Sequence, residues 1–252
     1  MEVHAHSHTP RKKWTHYFWE FLMLFLAVFC GFLAENKREH IVEHKRAKVY
    51  AANLYEELKM DTASFRIIID RNNDIIGKLD SFCLFGTEKE RYSVTNGMLY
   101  YYSQFTTSVE FFASNNITIE QLKGSGNLRT MPDEIAQKIS SYSKKLSTLE
   151  NEYQLSRTEF EKIETLFFKI FDGYTTSRLL TGPNSSTIIS RDSVFKLNLP
   201  LINDDLKLMK EFIGWLKFES SIYNSQNSNF HLPLKQTAIE LIELLKKEYH
   251  LK

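Results

Sequence analysis

The sequence has few of the residues that break helices or form disulfides. Its 252 residues include only 9 glycines, 5 prolines and 2 cysteines. Glycine and proline interrupt regular structure, so their scarcity favours long continuous helices over many short strands. Cys30 lies within an apolar run and Cys83 lies far from it, so we expect no disulfide between them and no disulfide framework.

The chain also lacks an excess of charge of either sign. It contains 32 Lys and Arg against 31 Asp and Glu, for a formal net charge of +1. Because the basic residues are dispersed among acids, the sequence excludes an electrostatic surface for nucleic acid. Apolar residues make up 42% and charged residues 25%, which is the balance of a folded protein rather than a disordered one.

One long apolar run lies near the N-terminus. Residues 21–33 contain no charged side chain. Extended to 14–34, the segment would form a helix about 31 Å long, which matches a hydrocarbon core of ~30 Å. Aromatic residues at 14–19 fall where interfacial belts form, and the acid Glu20 lies away from the middle of the span, where its cost is lower. We therefore predict a transmembrane anchor at 14–34.

We expect this anchor to remain uncleaved, after a basic, His-containing tail at 1–13. A signal-peptidase cut after Ala34 would place the bulky Phe32 where a small residue is required. A lipoprotein-type cut before Cys30 would follow Phe29, which is equally unsuitable. The segment therefore has the character of a signal anchor.

The Lys and Arg residues on the two sides of the anchor favour opposite orientations. More of them lie in the segment 35–48 than in the tail, which favours a cytoplasmic bulk. The compact basic head at 11–13 instead favours a cytoplasmic N-terminus. We expect the second arrangement, with the N-terminus in the cytoplasm and most of the chain on the far side of the membrane.

One face of the anchor carries small residues and an acid. The residues on this face, at spacings of four and three, are Glu20, Leu24, Ala27, Gly31 and Ala34. Ala27 and Gly31 form a small-xxx-small pair, through which membrane spans approach closely. We therefore predict that the face with Glu20, Ala27, Gly31 and Ala34 packs against another span. For the Glu20 carboxylate itself we expect a local role, in which it reaches the headgroups or hydrogen-bonds His16 one turn earlier, and the alternative is a polar contact between helices.

We predict that most of the remaining chain is helical. We predict a stalk and long helix at 35–90, whose first part is nearly all charged, and a helical bundle domain at 91–252. A helix at 92–113, with a strand as the alternative, and a small hairpin at 187–199 are expected within the bundle. A Gly182-Pro183 turn and two closing helices, the second starting at Pro233, complete the prediction.

The clearest pattern of the soluble part lies at 132–172. Its apolar stripe consists of Ile135, Ile139, Tyr142, Leu146, Leu149, Tyr153, Phe160, Ile163, Phe167 and Ile170, with Ser156 as a polar interruption. The 4-3 spacing of these bundle-packing residues predicts a coiled-coil-like helix about 60 Å long. Its expected partner is the stalk helix in an antiparallel hairpin, with a coil between subunits as the alternative. The predicted fold is all-α, with one N-terminal transmembrane helix continuing into a long stalk helix and an elongated, coiled-coil-like helical bundle.

The segment TIEQLKGSGNL carries the pattern T-x-x-x-L-K-x-S-G-x-L, and Thr118 with Gln121 suggests a capping box. The residues that match the pattern are Thr118, Leu122, Lys123, Ser125, Gly126 and Leu128. With the N-terminal anchor, this segment resembles a group of uncharacterised single-span bacterial inner-membrane proteins, a family of unknown function. The resemblance implies a bacterial inner-membrane protein and implies no chemistry. With the orientation expected from the Lys and Arg residues, the bulk of the chain would then be periplasmic.

Two histidine patterns contain the residue types of metal sites. His40, Glu43 and His44 match the H-x-x-E-H pattern of some zinc peptidases, but they lie on a charged stalk without a cleft. The HAHSH stretch at 4–8 could bind metal loosely, although a polar tail is the expected role. The GSG at 124–126 lacks the further residues of a phosphate-binding loop. We therefore expect no catalytic residue, no metal site and no cofactor.

These features favour a protein that is not an enzyme. We expect a non-catalytic helical scaffold or accessory subunit of a membrane protein complex. Its expected partners are the lipid bilayer and either copies of itself in a homo-oligomer or other subunits of the complex, and nucleic acid is not among them. The alternative is a single-span sensor whose extracytoplasmic bundle binds a ligand and signals through a partner.

Overall fold

The computed structural model describes residues 14–87, 90–91, 94–108, 110–181, 187–188 and 190–251. The fold is all-α, as predicted, with one pair of two-residue antiparallel strands in the described part. The elements are α1 (Trp14–Phe85), α2 (Asn96–Ser103), α3 (Ile117–Gly124), a 3₁₀ turn (Asn127–Thr130), α4 (Asp133–Ile170), α5 (Gly173–Leu179), β1 (Leu180–Thr181), β2 (Thr187–Ile188), α6 (Arg191–Phe195), α7 (Leu206–Gln226), a π turn (Asn227–His231) and α8 (Leu232–Tyr249). The chain divides into two compact units, Met1–Tyr50 and Ala51–Lys252.

The first unit contains the N-terminal part of α1. This helix is 72 residues long and has no break between the apolar segment and Phe85. Its most apolar 18-residue window has a mean hydropathy of 2.0, and none of that window is buried. Among the helices of the described residues, only α1 is long and apolar enough to cross a membrane. The predicted tail at 1–13 lies outside the described residues.

The second unit is a bundle of three long rods. They are the part of α1 from Ala51 onward, α4, and the unbroken run of α7, the π turn and α8. In contacts between α4 and the closing run, one residue number falls as the other rises: Phe160 with Tyr223, Tyr153 with His231, and Lys138 with Glu240. The closing run is therefore antiparallel to α4.

The predicted antiparallel hairpin between the stalk helix and α4 is wrong. The Asp61 carboxylate accepts a hydrogen bond from Tyr142, and the Phe82 ring meets the Phe171 ring further along both helices. These contacts make α1 parallel to α4, because the chain returns through residues 86–132 before α4 begins. The sequence predicted the length and apolar face of α4 without revealing which helix covers that face.

The predicted apolar stripe of α4 is buried inside this single chain. All of its residues are buried except Phe160, which is half-buried against the same core. The polar interruption Ser156 is also buried, and its side chain donates to the Glu152 carbonyl. The stripe is thus covered within one chain, as predicted, although the hairpin geometry predicted for it is wrong. Asp133 and Glu134 lie in the first turn, where acids complement the helix dipole.

Several local predictions differ from the structure. Of the helix predicted at 92–113, only α2 forms, and the described residues from 110 to 116 are non-helical. The predicted hairpin at 187–199 is replaced by the β1–β2 pair and by α6, and the Gly182-Pro183 turn lies outside the described residues. Long-range contacts override local helix propensity here, because side chains of the α2 segment donate hydrogen bonds to backbone carbonyls between 195 and 200.

The segment with the T-x-x-x-L-K pattern is held by α1 rather than by its own cap. Thr118 lies inside α3, and both its N–H and its hydroxyl donate to the Glu57 carboxylate, so the capping box with Gln121 is not formed. Gly126 follows α3 with a φ of 70°, a left-handed conformation that glycine adopts without strain. Glu57 of α1 therefore accepts the hydrogen bonds of Thr118, in place of the local capping box that the sequence pattern predicted.

Candidate functional site

A row of polar side chains crosses the apolar core of the second unit. We call this row the polar seam, and its members are Asp61, Asn72, Tyr142, Tyr153, Glu219, Tyr223, Asn227 and His231. All of them are buried, and they come from all three rods of the bundle. Burying a polar group without a hydrogen bond costs about 1–3 kcal/mol, so the partners of these groups decide what the seam can do.

Asp61 forms the first part of the seam. One carboxylate oxygen accepts from the backbone N–H of Asn115 at 2.8 Å and from its side-chain amide at 2.9 Å. The other accepts from the Tyr142 hydroxyl at 2.9 Å. Burial, followed by the nearby Asp61 charge, raises the pKa of Tyr142 far above its usual value, so the phenol stays a donor. Asp61 thus joins α1, α4 and the chain before α3.

We expect Asp61→Ala to lower the free energy of unfolding by about 3 kcal/mol. The substitution leaves the Tyr142 hydroxyl and the Asn115 donors buried without their acceptor. The matched control is Asp70→Ala, which removes an exposed carboxylate from the same helix. Thermal or urea unfolding of the full-length chain in detergent measures both variants, and equal losses would contradict the role given to Asp61.

His231 is the centre of the second part of the seam. Its Nε2 lies 2.6 Å from the Tyr153 hydroxyl oxygen, and its Nδ1 lies 2.9 Å from Asn227 Oδ1. The same Asn227 oxygen accepts from the Asn72 side-chain amide at 3.0 Å. Burial lowers the pKa of His231 to about 4, so the imidazole is neutral near pH 7. Both ring nitrogens are therefore engaged within the protein.

The π turn places Asn227 and His231 in this position. The N–H of Leu232 donates to the Asn227 carbonyl five residues earlier, instead of the usual four. Pro233 follows directly, and a proline inside an α-helix has no N–H to donate and clashes with the carbonyl four residues before it. A wider turn accommodates this ring without ending the helix. The sequence pattern predicts a separate helix that starts at Pro233, whereas the structure has a continuous rod through this residue.

Glu219 and Tyr223 form the third part of the seam, one turn apart on α7. The Tyr223 hydroxyl donates to Glu219 Oε1 at 3.2 Å, whereas Glu219 Oε2 has no hydrogen-bond partner among the described residues. Burial raises the pKa of Glu219 to about 8, so this acid is mostly neutral at pH 7. Burial also raises the pKa of Tyr223. The two groups therefore form a neutral pair.

A groove of about 320 Å³ runs between α4 and α7. Its apolar lining residues are Leu155, Phe218, Ile222 and Phe230. Glu152 and Glu159 also line it, and the Ser156 and Gln226 side chains meet there at 3.4 Å. The volume lies at the lower end of the range of small-molecule sites.

The predicted packing residues of the anchor are exposed in the first unit. Ala27, Gly31 and Ala34 are all open, and a Cβ added at Gly31 would meet nothing within 4 Å. Glu20 Oε1 lies 3.4 Å from His16 Nε2, which is the local contact predicted for this acid. Packing of this face against another span stays a prediction.

The structure describes only one of the two histidine patterns considered as metal sites, the H-x-x-E-H pattern. His40, Glu43 and His44 lie on a single helix, α1. Within the described residues, no group of three or more His, Cys, Asp or Glu side chains is placed to hold a metal ion. The HAHSH stretch at 4–8 lies outside them.

No family model, no curated protein and no solved structure matches this chain. The resemblance to single-span bacterial membrane proteins therefore rests on the anchor and the T-x-x-x-L-K segment alone and stays a prediction.

Proposed function

We propose that this chain is a membrane-anchored, non-catalytic helical scaffold or accessory subunit of a bacterial inner-membrane complex, with its N-terminus in the cytoplasm. One observation carries the proposal. The apolar window of α1 has a mean hydropathy of 2.0 and no burial within the chain. Such a surface is stable only in lipid or against other helices, because apolar area exposed to water costs roughly 25 cal/mol per Å².

The chemistry of the bundle supports a non-catalytic role. A catalytic acid or base must reach a substrate with a free proton donor or acceptor. The Asp61 carboxylate is occupied by donors from Asn115 and Tyr142, and the His231 imidazole is bonded at both nitrogens. Buried polar groups that satisfy one another in this way can specify the register of a bundle, and a scaffold benefits from that property.

The groove between α4 and α7 favours a second candidate, the sensor. The groove has a volume of about 320 Å³ and is lined by aromatic side chains and two glutamates. These features are more typical of a small-molecule site than of a flat surface that contacts another protein. A thermal-shift screen of the full-length chain in detergent tests this candidate. Stabilisation that is lost in Glu159→Gln but kept in the exposed control Glu150→Gln would favour the sensor, and no stabilising ligand would argue against it.

The first experiment for the scaffold is purification of the intact particle from native membranes in mild detergent. We expect a particle that contains further subunits or several copies of this chain. Its mass, corrected for detergent, would then exceed the 29.6 kDa of one chain. A monomer recovered without partners across several mild detergents would contradict the proposal.

We expect Gly31→Leu to weaken this assembly. An added side chain at Gly31 meets nothing in its own chain, so the loss would report contact with another span. The control is Phe29→Leu, nine residues after Glu20 and therefore on the opposite face of the helix. Native gels of both variants give the readout, and an unchanged particle in Gly31→Leu would exclude this face as the assembly surface.

A further inference from the structure

With the Asn227 amide oriented as it is in the structure, the hydrogen bonds around His231 form a chain with one direction. Asn227 Oδ1 is an oxygen that can only accept, so His231 Nδ1 must carry the proton that bridges the 2.9 Å between them. In the neutral ring Nε2 is then an acceptor, and the Tyr153 hydroxyl must donate to it. The Tyr153 oxygen in turn accepts from the Phe112 N–H at 3.2 Å.

The chain continues on the other side of the imidazole. Asn72 on α1 donates to the same Asn227 oxygen at 3.0 Å, and the Asn227 amide donates to Asn73 at 3.2 Å. One continuous set of bonds thus joins the segment before α3, α4, the π turn and α1. The turn at its centre is the irregular part of the closing rod, since π geometry is rare and Pro233 removes a donor.

We propose that the π turn Asn227–His231 is a hinge between α7 and α8, held closed by this hydrogen-bond chain and opened when His231 gains a proton. A protonated ring carries N–H groups at both positions. The Tyr153 oxygen would then face two donors, the ring and the Phe112 N–H, and the phenol proton would lose its acceptor. A buried charge and an unpaired donor would both favour an open turn in which water reaches the ring.

Among the described residues, no charged side chain hydrogen-bonds to the His231 ring to offset the charge of its protonated form. From α4 the titratable group that faces it is the Tyr153 phenol, whose pKa burial raises well above its usual value. From α1 the Phe65 ring lies 6.2 Å away, and Asn72 acts through Asn227, which lies on the same rod as His231. Burial is the cause of the lowered pKa of His231, to about 4. Exposure of the ring to water in the open turn would therefore make protonation of His231 less costly.

The test is hydrogen–deuterium exchange on the full-length chain in detergent, at pH 7 and pH 4.5. The control variant is His231→Gln, whose amide can accept from Tyr153 and donate to Asn227 but cannot take up a proton. Comparison with this variant at each pH removes the intrinsic pH dependence of exchange. We expect amides of the π turn to exchange about 10- to 100-fold faster in the wild type than in His231→Gln at pH 4.5, and equally at pH 7.

Tyr153→Phe tests the same hinge without acid. It removes the donor to Nε2 and the acceptor of the Phe112 N–H, so the π turn should exchange faster already at pH 7. Nitrogen-15 NMR of His231 in the wild type supplies a readout that does not depend on either variant, and we expect the Nδ1–H tautomer. The Nε2–H tautomer, equal acid responses in the wild type and His231→Gln, or unchanged exchange in Tyr153→Phe would each overturn the proposal.

Discussion

Glu219→Gln is expected to raise the free energy of unfolding by about 3 kcal/mol at pH 7, with a gain that grows towards pH 8 and vanishes near pH 4.5. The pKa of Glu219 rises from 4.5 to about 8 on burial. A raised pKa in the folded state means that the stabilising contribution of the neutral acid is complete below pH 4.5. That contribution is lost as the pH rises through about 8, because unfolding then releases a proton that the folded state retains.

Glutamine has the shape of the neutral acid and cannot ionise. Its amide oxygen can accept the same hydrogen bond from Tyr223, and its amide nitrogen would take the position of Glu219 Oε2, which has no hydrogen-bond partner among the described residues. The matched control is Glu211→Gln, which removes an exposed carboxylate from the same helix. Unfolding curves of the full-length chain in detergent from pH 5 to pH 8 give the comparison. A gain that does not change with pH would show that Glu219 is not the titrating group.

Gly97→Ala is expected to destabilise the bundle by about 3 kcal/mol or more. A Cβ at this position would lie 2.0 Å from the Val194 carbonyl oxygen and 2.6 Å from that of Leu197. Both atoms belong to the backbone, so no side chain can rotate away to make room. The Gly97 N–H also donates to the Leu197 carbonyl at 2.9 Å, and a shift of α2 away from the clash would break that bond.

The control for Gly97→Ala is Gly77→Ala. Gly77 lies inside α1, where an added Cβ meets nothing within 4 Å. Alanine there should stabilise the helix by about 0.5–1 kcal/mol, because it removes backbone freedom from the unfolded chain. The two variants make the same chemical change and should shift the melting temperature in opposite directions. Tolerance of Gly97→Ala would mean that the α2–α6 contact is looser than its backbone geometry indicates.

Glu219 and His231 lose their contributions to the free energy of unfolding at opposite ends of the pH range. His231 has a pKa lowered from 6.5 to about 4, so its contribution is complete above pH 6.5 and is lost as the pH falls through about 4. The contribution of neutral Glu219 is lost in the other direction. The stability that these two groups contribute together is therefore greatest between about pH 4.5 and about pH 6.5.

Periodicity was informative wherever one helix face is buried along its whole length. The 4-3 spacing from Ile135 to Ile170 predicted α4 and its core residues, because burial on a helix imposes that spacing whatever lies opposite. The same logic failed at 92–113, where the apolar residues serve contacts with a distant part of the chain. Tyr100 illustrates this, since its hydroxyl donates to the Pro200 carbonyl.

The polar seam had no visible signal in the sequence. Asp61, Asn72 and Glu219 lie on amphipathic helices, where a polar residue is usually on the solvated face. Their burial depends on which rods lie beside them, and Asn72 meets Asn227 across 155 positions of sequence. Only Pro233, inside an otherwise helical pattern, could have indicated an irregular turn.

By itself the sequence determined the all-α class, the apolar segment near the N-terminus and the heptad face of α4. Each follows from composition or from a spacing that one helix imposes on its own residues. The tertiary structure decided the parallel course of α1 and α4, the continuous closing rod and the hydrogen-bond partners of the buried polar groups. These three features depend on which segments meet in space, and a local sequence pattern does not indicate which distant segment packs against it.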